Sequence, residues 1–502
     1  MGATMCNVAD RTRDSASLAV GSAVREGGGV TATISGTVFS RTPTDRAAVD
    51  HALVGVRDAC FWIDDLGEVP VRPPLRRAIE TDLLVVGGGY TGLWTAVRAQ
   101  QREPGRRVVL IEAERIGWAA SGRNGGFCAA SITHGEENGR SRWPGQYDEL
   151  ERLGIANLDA IEASVEQYAM DCDYERTGEL DVAIEPHQVA DLRASGADVL
   201  EADEVRALLD SPTYLAGVLD PDVAMVHPAK LARELARVAA ELGVEIFEGT
   251  RATGISGAGK RGPVTVTTTA GTISARRVAL ATNVFPSLLA RYRMHTVPVY
   301  DYALMTEPLN ADQLASIGWE GRQGVGDLAN QFHYYRISRD NRILWGGYDA
   351  IYHYGRKVSP AYEHRPTTYR RLAEHFLTTF PQLEGLRFSH QWAGAIDTST
   401  RFCAFHGRAM NGRVAHTAGF TGLGVGASRF AAEVMLDRLA GLDTERTRLD
   451  MVRRMPVPFP PEPIASIGIQ ATRRALDRAD HRGGRRNAWL RTLDKLGLGF
   501  DS

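Results

Sequence analysis

The 502-residue chain carries 58 Lys and Arg against 61 Asp and Glu, a net charge of −3, with 43% hydrophobic and 24% charged residues. That is an ordinary globular composition, long enough for two or three interleaved domains, and its charge balance excludes a global attraction to nucleic acid or acidic lipid. No stretch approaches the ~20 continuous apolar residues of a membrane span, so stable membrane insertion is not expected. Cys6, Cys60, Cys128, Cys172 and Cys403 form no C-x-x-C pair or Cys/His cluster. Neither a disulfide framework nor a metal site is expected. The start of the chain has no apolar signal core, and the expected location is the cytoplasm.

Residues 1–45, rich in Ser, Thr, Gly, Ala and Arg, read as a mobile extension. Phe61, Trp62 and Ile63 mark the expected start of order, packing on a domain surface. Residues 70–74, with Pro at both ends, lead extended chain into TDLLVVGGGYTG at residues 81–92. Four apolar residues, 83–86, make a strand of the kind buried on both faces of a parallel sheet. Gly87, Gly89 and Gly92 then give G-x-G-x-x-G, followed by a helix through residue 101 that opens with Tyr90 and Thr91. The glycines serve a tight turn, close approach to a pyrophosphate and helix–strand packing, and the helix N-terminus faces the phosphates. The motif alone is weak in a chain with 52 glycines, but its context is specific. A second apolar strand, Val108–Ile111, ends in Glu112 and Ala113, and Glu112 lies 23 residues beyond Gly89. That is close to the roughly 20 expected of a ribose-binding acid, and a carboxylate there disfavours NADP. The plainer alternative, an acid that merely follows a strand, does not account for the order strand, glycines, acid.

RIGWAASGRNGG follows at residues 115–126. Ser121, Gly122, Arg123, Asn124, Gly125 and Gly126 make a backbone-rich loop that places N–H donors and one guanidinium around an anion or a flavin ring.

GGGYTGL, the acid after the second strand and ASGRNGG together resemble the FAD-dependent oxidoreductases of the D-amino-acid oxidase superfamily, specifically the gamma-glutamylputrescine oxidase-like branch related to sarcosine and glycine oxidases. The resemblance runs from about Phe61 to the C-terminus. It implies an α/β fold, in which a Rossmann-like FAD-binding domain is interleaved with an α+β substrate domain built on an antiparallel sheet. The FAD-binding domain is expected at 46–175, 223–296 and 391–445, the substrate domain at 176–222 and 297–390, and a C-terminal extension at 446–502.

Between residues 154 and 170, Ile155, Leu158, Ile161, Val165 and Tyr168 recur at helical spacing. TGELDVAIEP from Thr177 reads as a strand, with polar helices after it. From His227, Pro228 suits the first helical position and Leu231, Leu235, Val238 and Leu242 form one stripe, closed by Gly243. His227 reads as a helix cap rather than a ligand contact. A strand follows, and the resemblance implies that Ala252 touches the adenine. Residues 264–269 and 272–274 read as a hairpin and residues 278–281 as a separate buried strand. Its end, at Thr282 and Asn283, resembles the second dinucleotide-binding signature of flavoproteins.

Between residues 298 and 390, Tyr300, Tyr302, Phe332, His333, Tyr334, Tyr335, Trp345, Tyr348, Tyr352 and Tyr354 lie in β-type patterning. Each alone reads as sheet core, but as a group they suit a pocket laid over the flavin. His333, Tyr335 and Tyr348 are candidates for substrate contact or a proton route, and Arg336 or Arg401 for clamping a carboxylate. AGFTGLGVG, with Gly419, Thr421, Gly422, Leu423 and Gly424, resembles the family's C-terminal flavin motif. It would bring bare amides and a helix N-terminus to the N1–C2=O edge. The basic helix around Trp489, Leu490, Leu493 and Leu496 is expected to pack across the surface.

The resemblance implies oxidation of a small amine or amino acid, with a hydride passing to flavin N5 and the imine hydrolysing. Sarcosine oxidases attach flavin to a cysteine where this chain has GAIDTST, so non-covalent FAD is expected. They also use a lysine to activate oxygen, and ILWGGYD at residues 343–349 has none. Oxygen, or a quinone or carrier protein in a dehydrogenase, therefore stays open as acceptor. A NAD-dependent dehydrogenase and a non-catalytic flavin-binding protein are the remaining alternatives.

Overall fold

In the computed structural model, which describes residues 36–257, 259 and 262–499, the apolar residues 83–86 lie buried on both faces of the strand Ile79–Val86. This strand pairs in parallel with Val108–Ile111 on one side and Gly271–Leu280 on the other. Glu245–Phe247 and Val414–Ala418 extend the parallel arrangement, and an antiparallel hairpin, Ala252–Gly257 with Val264–Thr268, joins one edge of this eight-stranded sheet. Leu83 and Val85 meet Leu93, Leu231, Leu235 and Met435 from three covering helices, Tyr90–Arg102, Pro228–Glu241 and Gly424–Ala440. Leu84 and Val86 point the other way, into a cluster with Val264, Val266 and Ile273. One period-two alternation thus serves both layers.

The second sheet has ten strands, in the spatial order 57–58, 388–398, 297–306, 343–347, 333–337, 324–327, 179–183, 216–220 and 200–201, with 351–352 beside 297–306. Most pairings are antiparallel. Helix Pro366–Thr379 covers one face, where Tyr302 packs edge-on against Tyr369 and Trp345 against Phe376. On the other face Ala303, Met305, Leu344 and Trp392 meet Phe61, Trp62 and Ala229. The sheets are built from alternating stretches of chain, the mixed α/β arrangement that the sequence implies.

Order begins earlier than the sequence suggests. Residues 1–35 of the expected mobile extension lie outside the described residues, but residues 38–41 form a helical turn whose Val38 N–H donates to Glu185, and Phe39 stacks on His375 at 4.0 Å. A low-complexity composition hid one aromatic anchor. Phe61 and Trp62 are not surface packing: they fill the apolar space between the sheets. The long helix starts at Tyr147 rather than near 154, and residues 271–280 are one strand rather than a hairpin arm and a separate strand. His227 caps its helix by accepting from Lys230 N–H at 3.2 Å. Helix Ile464–Asp480 docks through Asp480, which accepts from the Asn330 and Gln331 amides. No helix among the described residues is long and apolar enough to cross a membrane.

Candidate functional site

The ends of the parallel strands converge on the first glycine turn. Gly87 has φ +114°, a conformation that a side chain would strain, and a Cβ on Gly92 would enter the carbonyl of Gly87. Helix Tyr90–Arg102 therefore sits tightly on its strand, with Thr91 buried in its first turn. Its N-cap, Gly89, offers no side-chain cap; instead Ser121 Oγ accepts from the Tyr90 amide at 3.0 Å. Glu112 Oε2 accepts from Gly88 N–H at 2.6 Å, and Oε1 from Glu114 N–H and Trp118 Nε1–H. Burial pushes its carboxyl above the usual range despite these donors. Ala113 beside it and Ala252 at the start of the hairpin are half-buried. At the end of Gly271–Leu280, Thr282 Oγ1 and Asn283 Oδ1 are buried without a hydrogen-bond partner.

The second loop contains one helical turn, Ala120–Arg123. Asn124 braces it by donating to the Ala120 and Ser121 carbonyls and accepting from Gly126 N–H at 2.8 Å. Arg123 does not offer its guanidinium to an anion as expected. It donates to Trp118 O, Ala393 O and Glu363, so its charge ties this loop to the ten-stranded sheet. Trp392 Nε1–H adds a bond to Arg123 O at 2.8 Å.

The third glycine turn closes the assembly from the C-terminal side. Asp397 accepts from Gly419 N–H at 2.5 Å, and burial holds its pKa up at about 7. Thr421 has φ +53° and Gly422 φ +98° with open space around it. Leu423 is the N-cap of Gly424–Ala440. That helix packs against the strand Phe127–Ala129, which continues the second loop, and a Cβ on Gly426 would enter the Ala129 carbonyl.

Against the second loop lies the face of the ten-stranded sheet turned away from the helix Pro366–Thr379. Tyr334 projects from it and donates to Asp301 Oδ2 at 2.5 Å. Its ring fills the gap between Gly125 and Gly346, where added Cβ atoms would stand 2.7 and 2.6 Å from it. Burial raises Asp301 to about 6 and Tyr334 well above its ordinary value.

The aromatic residues chosen from the sequence fall mostly on the opposite face. His333 donates to or accepts from Asp327 at 2.6 Å and His375 at 2.9 Å under the covering helix. Tyr335 bonds Tyr214 at 2.6 Å, and Tyr348 stacks on His333. All three candidates are thereby corrected to the helix-covered face: His333 and Tyr335 because strand neighbours point to opposite sides, and Tyr348, just past the strand 343–347, by packing edge-on against His375. Arg401 is corrected too: it is buried beneath Trp143 and donates to the carbonyls of Arg454 and Ala404, which makes it an anchor for the C-terminal segment. Arg336 does share Tyr334's face, donating to Val226 O at 2.6 Å, and burial lowers its pKa to about 10. Sequence reasoning missed Asp301, Gly346 and Gly394. The signal was present in the every-other-residue spacing of Tyr334 and Arg336, set against glycines in the paired strands.

A family model for FAD dependent oxidoreductases matches residues 82–438, from the first strand to the last covering helix. The chain belongs to this family. Its cofactor is FAD. The chain is 30% identical to the gamma-glutamylputrescine oxidoreductase of Escherichia coli strain K12 over 407 residues, 77% of this chain and 89% of that protein. It is 27% identical to the probable oxidoreductase OrdL of Haemophilus influenzae over 419 residues, 79% of this chain and 91% of that protein. A crystal structure of glycine oxidase from Geobacillus kaustophilus superposes with a TM-score of 0.61 at 19% identity, covering 76% of this flavoenzyme and all of that chain.

The residues present suit such a dinucleotide. The orphaned Thr282 Oγ1 and Asn283 Oδ1 and the N-terminus of the helix Tyr90–Arg102 lie at the carboxyl ends of parallel strands, where open α/β sheets bind ligands.

Proposed function

We propose that this FAD-dependent oxidoreductase oxidises the C–N bond of a small amine or amino acid, with FAD held non-covalently. The observation that carries the reading is the meeting of the second glycine loop, at Gly125, with a half-buried Tyr334–Asp301 pair on a second sheet. We read the unit around the eight-stranded sheet as the FAD-binding part and that around the ten-stranded sheet as the substrate part. The names of the relatives, gamma-glutamylputrescine oxidoreductase among them, support an amine as substrate.

In this reading the amides of Gly89 and Thr91 hold the pyrophosphate, Glu112 and Ala113 the ribose, Ala252 the adenine edge, and the turn Gly419–Gly424 the flavin edge. Glu112 would exchange a backbone donor for a ribose hydroxyl. Bound there, FAD supplies a two-electron acceptor for a C–H bond beside nitrogen. The chain's own residues orient the donor and exclude water: Tyr334 and Phe127 wall the space between the sheets, and Arg123, Trp392 and Glu363 fasten the loop above it. Cys60, Cys128, Cys172 and Cys403 are all buried, and burial pushes each thiol up, which disfavours a thiolate attachment.

The test is the visible spectrum of the purified protein, acid precipitation, and anaerobic addition of gamma-glutamylputrescine, sarcosine, glycine and D-amino acids. Flavin bands, FAD released into the supernatant and bleaching by one of these amines are the expected results. Reoxidation of the bleached sample by air or by a quinone then assigns the acceptor. Flavin retained in the pellet overturns non-covalent binding, and yellow protein that no amine bleaches overturns the substrate class.

A further inference from the structure

Asp301 is a half-buried carboxylate, and among the described residues no cationic side chain bonds it. Across one strand pairing it faces Gly394, and a Cβ there would find only Arg123 Cβ, at 4.0 Å. Across the other, Gly347 presents a backbone N–H. Its side-chain partner is the Tyr334 hydroxyl. The charged and titratable groups around it are accounted for. Arg123, beyond Gly394, is spent on Glu363 at 2.6 Å. His333 lies on the opposite face, bonded to Asp327. On Asp301's own strand, Tyr300 and Tyr302 point into the helix-covered core. A partly desolvated carboxylate without a cationic partner is stabilised when a cation is brought to it. Gly394 leaves room beside it, and the second glycine loop meets Tyr334 at Gly125.

We propose that Asp301, through the Tyr334 hydroxyl, accepts a proton from the ammonium group of the substrate, so that the amine is oxidised as the free base. The ammonium N–H bond breaks as the proton passes to Tyr334 Oη, whose own proton moves to Asp301 Oδ2. No electrons change hands in this step, and it leaves nitrogen with the lone pair that a forming C=N bond requires. A carboxyl group whose pKa burial has raised to about 6 is matched to that task near neutral pH. The proposal rests on the amine-oxidising reading above.

The test uses the FAD-loaded enzyme and the variant Asp301→Asn, whose amide oxygen still accepts from Tyr334. For wild type, kcat/KM with the amine that bleaches the flavin should fall below about pH 6. For the variant, kcat/KM should drop on the order of 100-fold at pH 7, within the range for loss of a general base, and recover at pH 9 as the amine loses its own proton. Tyr334→Phe should change the profile in the same direction. A second readout needs no turnover. The infrared difference spectrum between pH 5 and pH 8 should contain protonated-carboxyl C=O intensity, to which Asp397 also contributes, and Asp301→Asn should lose one component of it. A variant profile parallel to wild type, or an unchanged carboxyl band, overturns the proposal. If no amine bleaches wild type, the parent reading fails and the proposal with it, an outcome distinct from one in which amines bleach both proteins alike.

Discussion

The two faces of the ten-stranded sheet carry similar side chains and do different things. The helix-covered face holds Tyr300, Tyr302, Tyr335, Trp345 and His333, packed against Tyr369, Phe376 and Phe380. The opposite face holds Tyr334, Asp301 and Arg336 among glycines, against the loops of the parallel sheet. On the first, the titratable tips are consumed internally: Tyr335 by Tyr214, His333 by Asp327 and His375. On the second, Asp301 keeps a carboxylate without a cation. Aromatic content therefore marks a core in one case and a site in the other, and a shift of one residue along a strand decides which.

The most severe break of this contrast is a side chain on the glycines that Tyr334 fills. A Cβ on Gly125 would lie 2.7 Å from the Tyr334 ring and 3.1 Å from that of Phe127. Gly125→Val should leave the far-ultraviolet circular dichroism unchanged, abolish most FAD retention as read from the flavin-to-protein absorbance ratio, and cut activity by at least about 100-fold, the scale of a displaced site geometry.

A paired substitution separates the faces directly. Tyr334→Phe should lower kcat/KM about 10- to 100-fold, with a thermal midpoint close to wild type. Tyr335→Phe should do the reverse: activity within about twofold, but a loss of about 1–3 kcal/mol, because the buried Tyr214 hydroxyl loses its partner. Urea unfolding and steady-state kinetics on both variants decide it. Equal kinetic losses would show that the site does not discriminate between the faces.

Phe39 tests the ordered segment that composition concealed. Its ring seals the helix-covered face over His375. Phe39→Ala should cost about 1–3 kcal/mol in urea unfolding, the worth of a large apolar side chain, with FAD content unchanged. A neutral result would place residues 36–45 outside the folded core.

Legibility followed the same physics. The nucleotide-binding half was readable because glycines at fixed spacing, apolar runs and Glu112 are local signals. The pairing of Gly271–Leu280 with both Ile79–Val86 and Val414–Ala418 is not local, so its single long strand was read as two pieces. The aromatic segment was recognised as a sheet, but its facing depends on which side the helix Pro366–Thr379 covers, and nothing in residues 298–352 encodes that. Arg123 and Arg401 illustrate the remaining limit. A guanidinium in a glycine loop and one after a strand read alike as ligand clamps, and only the packed chain shows them held by Glu363 and by backbone carbonyls.

The subtlest difference between the faces is in their proton balance. On the glycine-lined face, burial raises the Asp301 carboxyl; on the covered face, it holds His375 well below its ordinary value, with His333 and Arg371 adding repulsion. The sign follows from linkage. The unfolded chain binds a proton at His375 near pH 6.5, whereas the folded chain stays neutral there until much lower pH. Stability attributable to this residue is complete above the unfolded pKa and is lost as pH falls below it, at up to about 1.4 kcal/mol per pH unit. Replacing it, His375→Gln, removes that dependence. The urea-unfolding free energies of wild type and variant should converge as pH is lowered from 7.5 to 5.5, wild type losing the larger amount. Parallel curves would mean that His375 titrates in the folded protein much as it does in the unfolded chain, and that the covered face is wetter than its packing indicates.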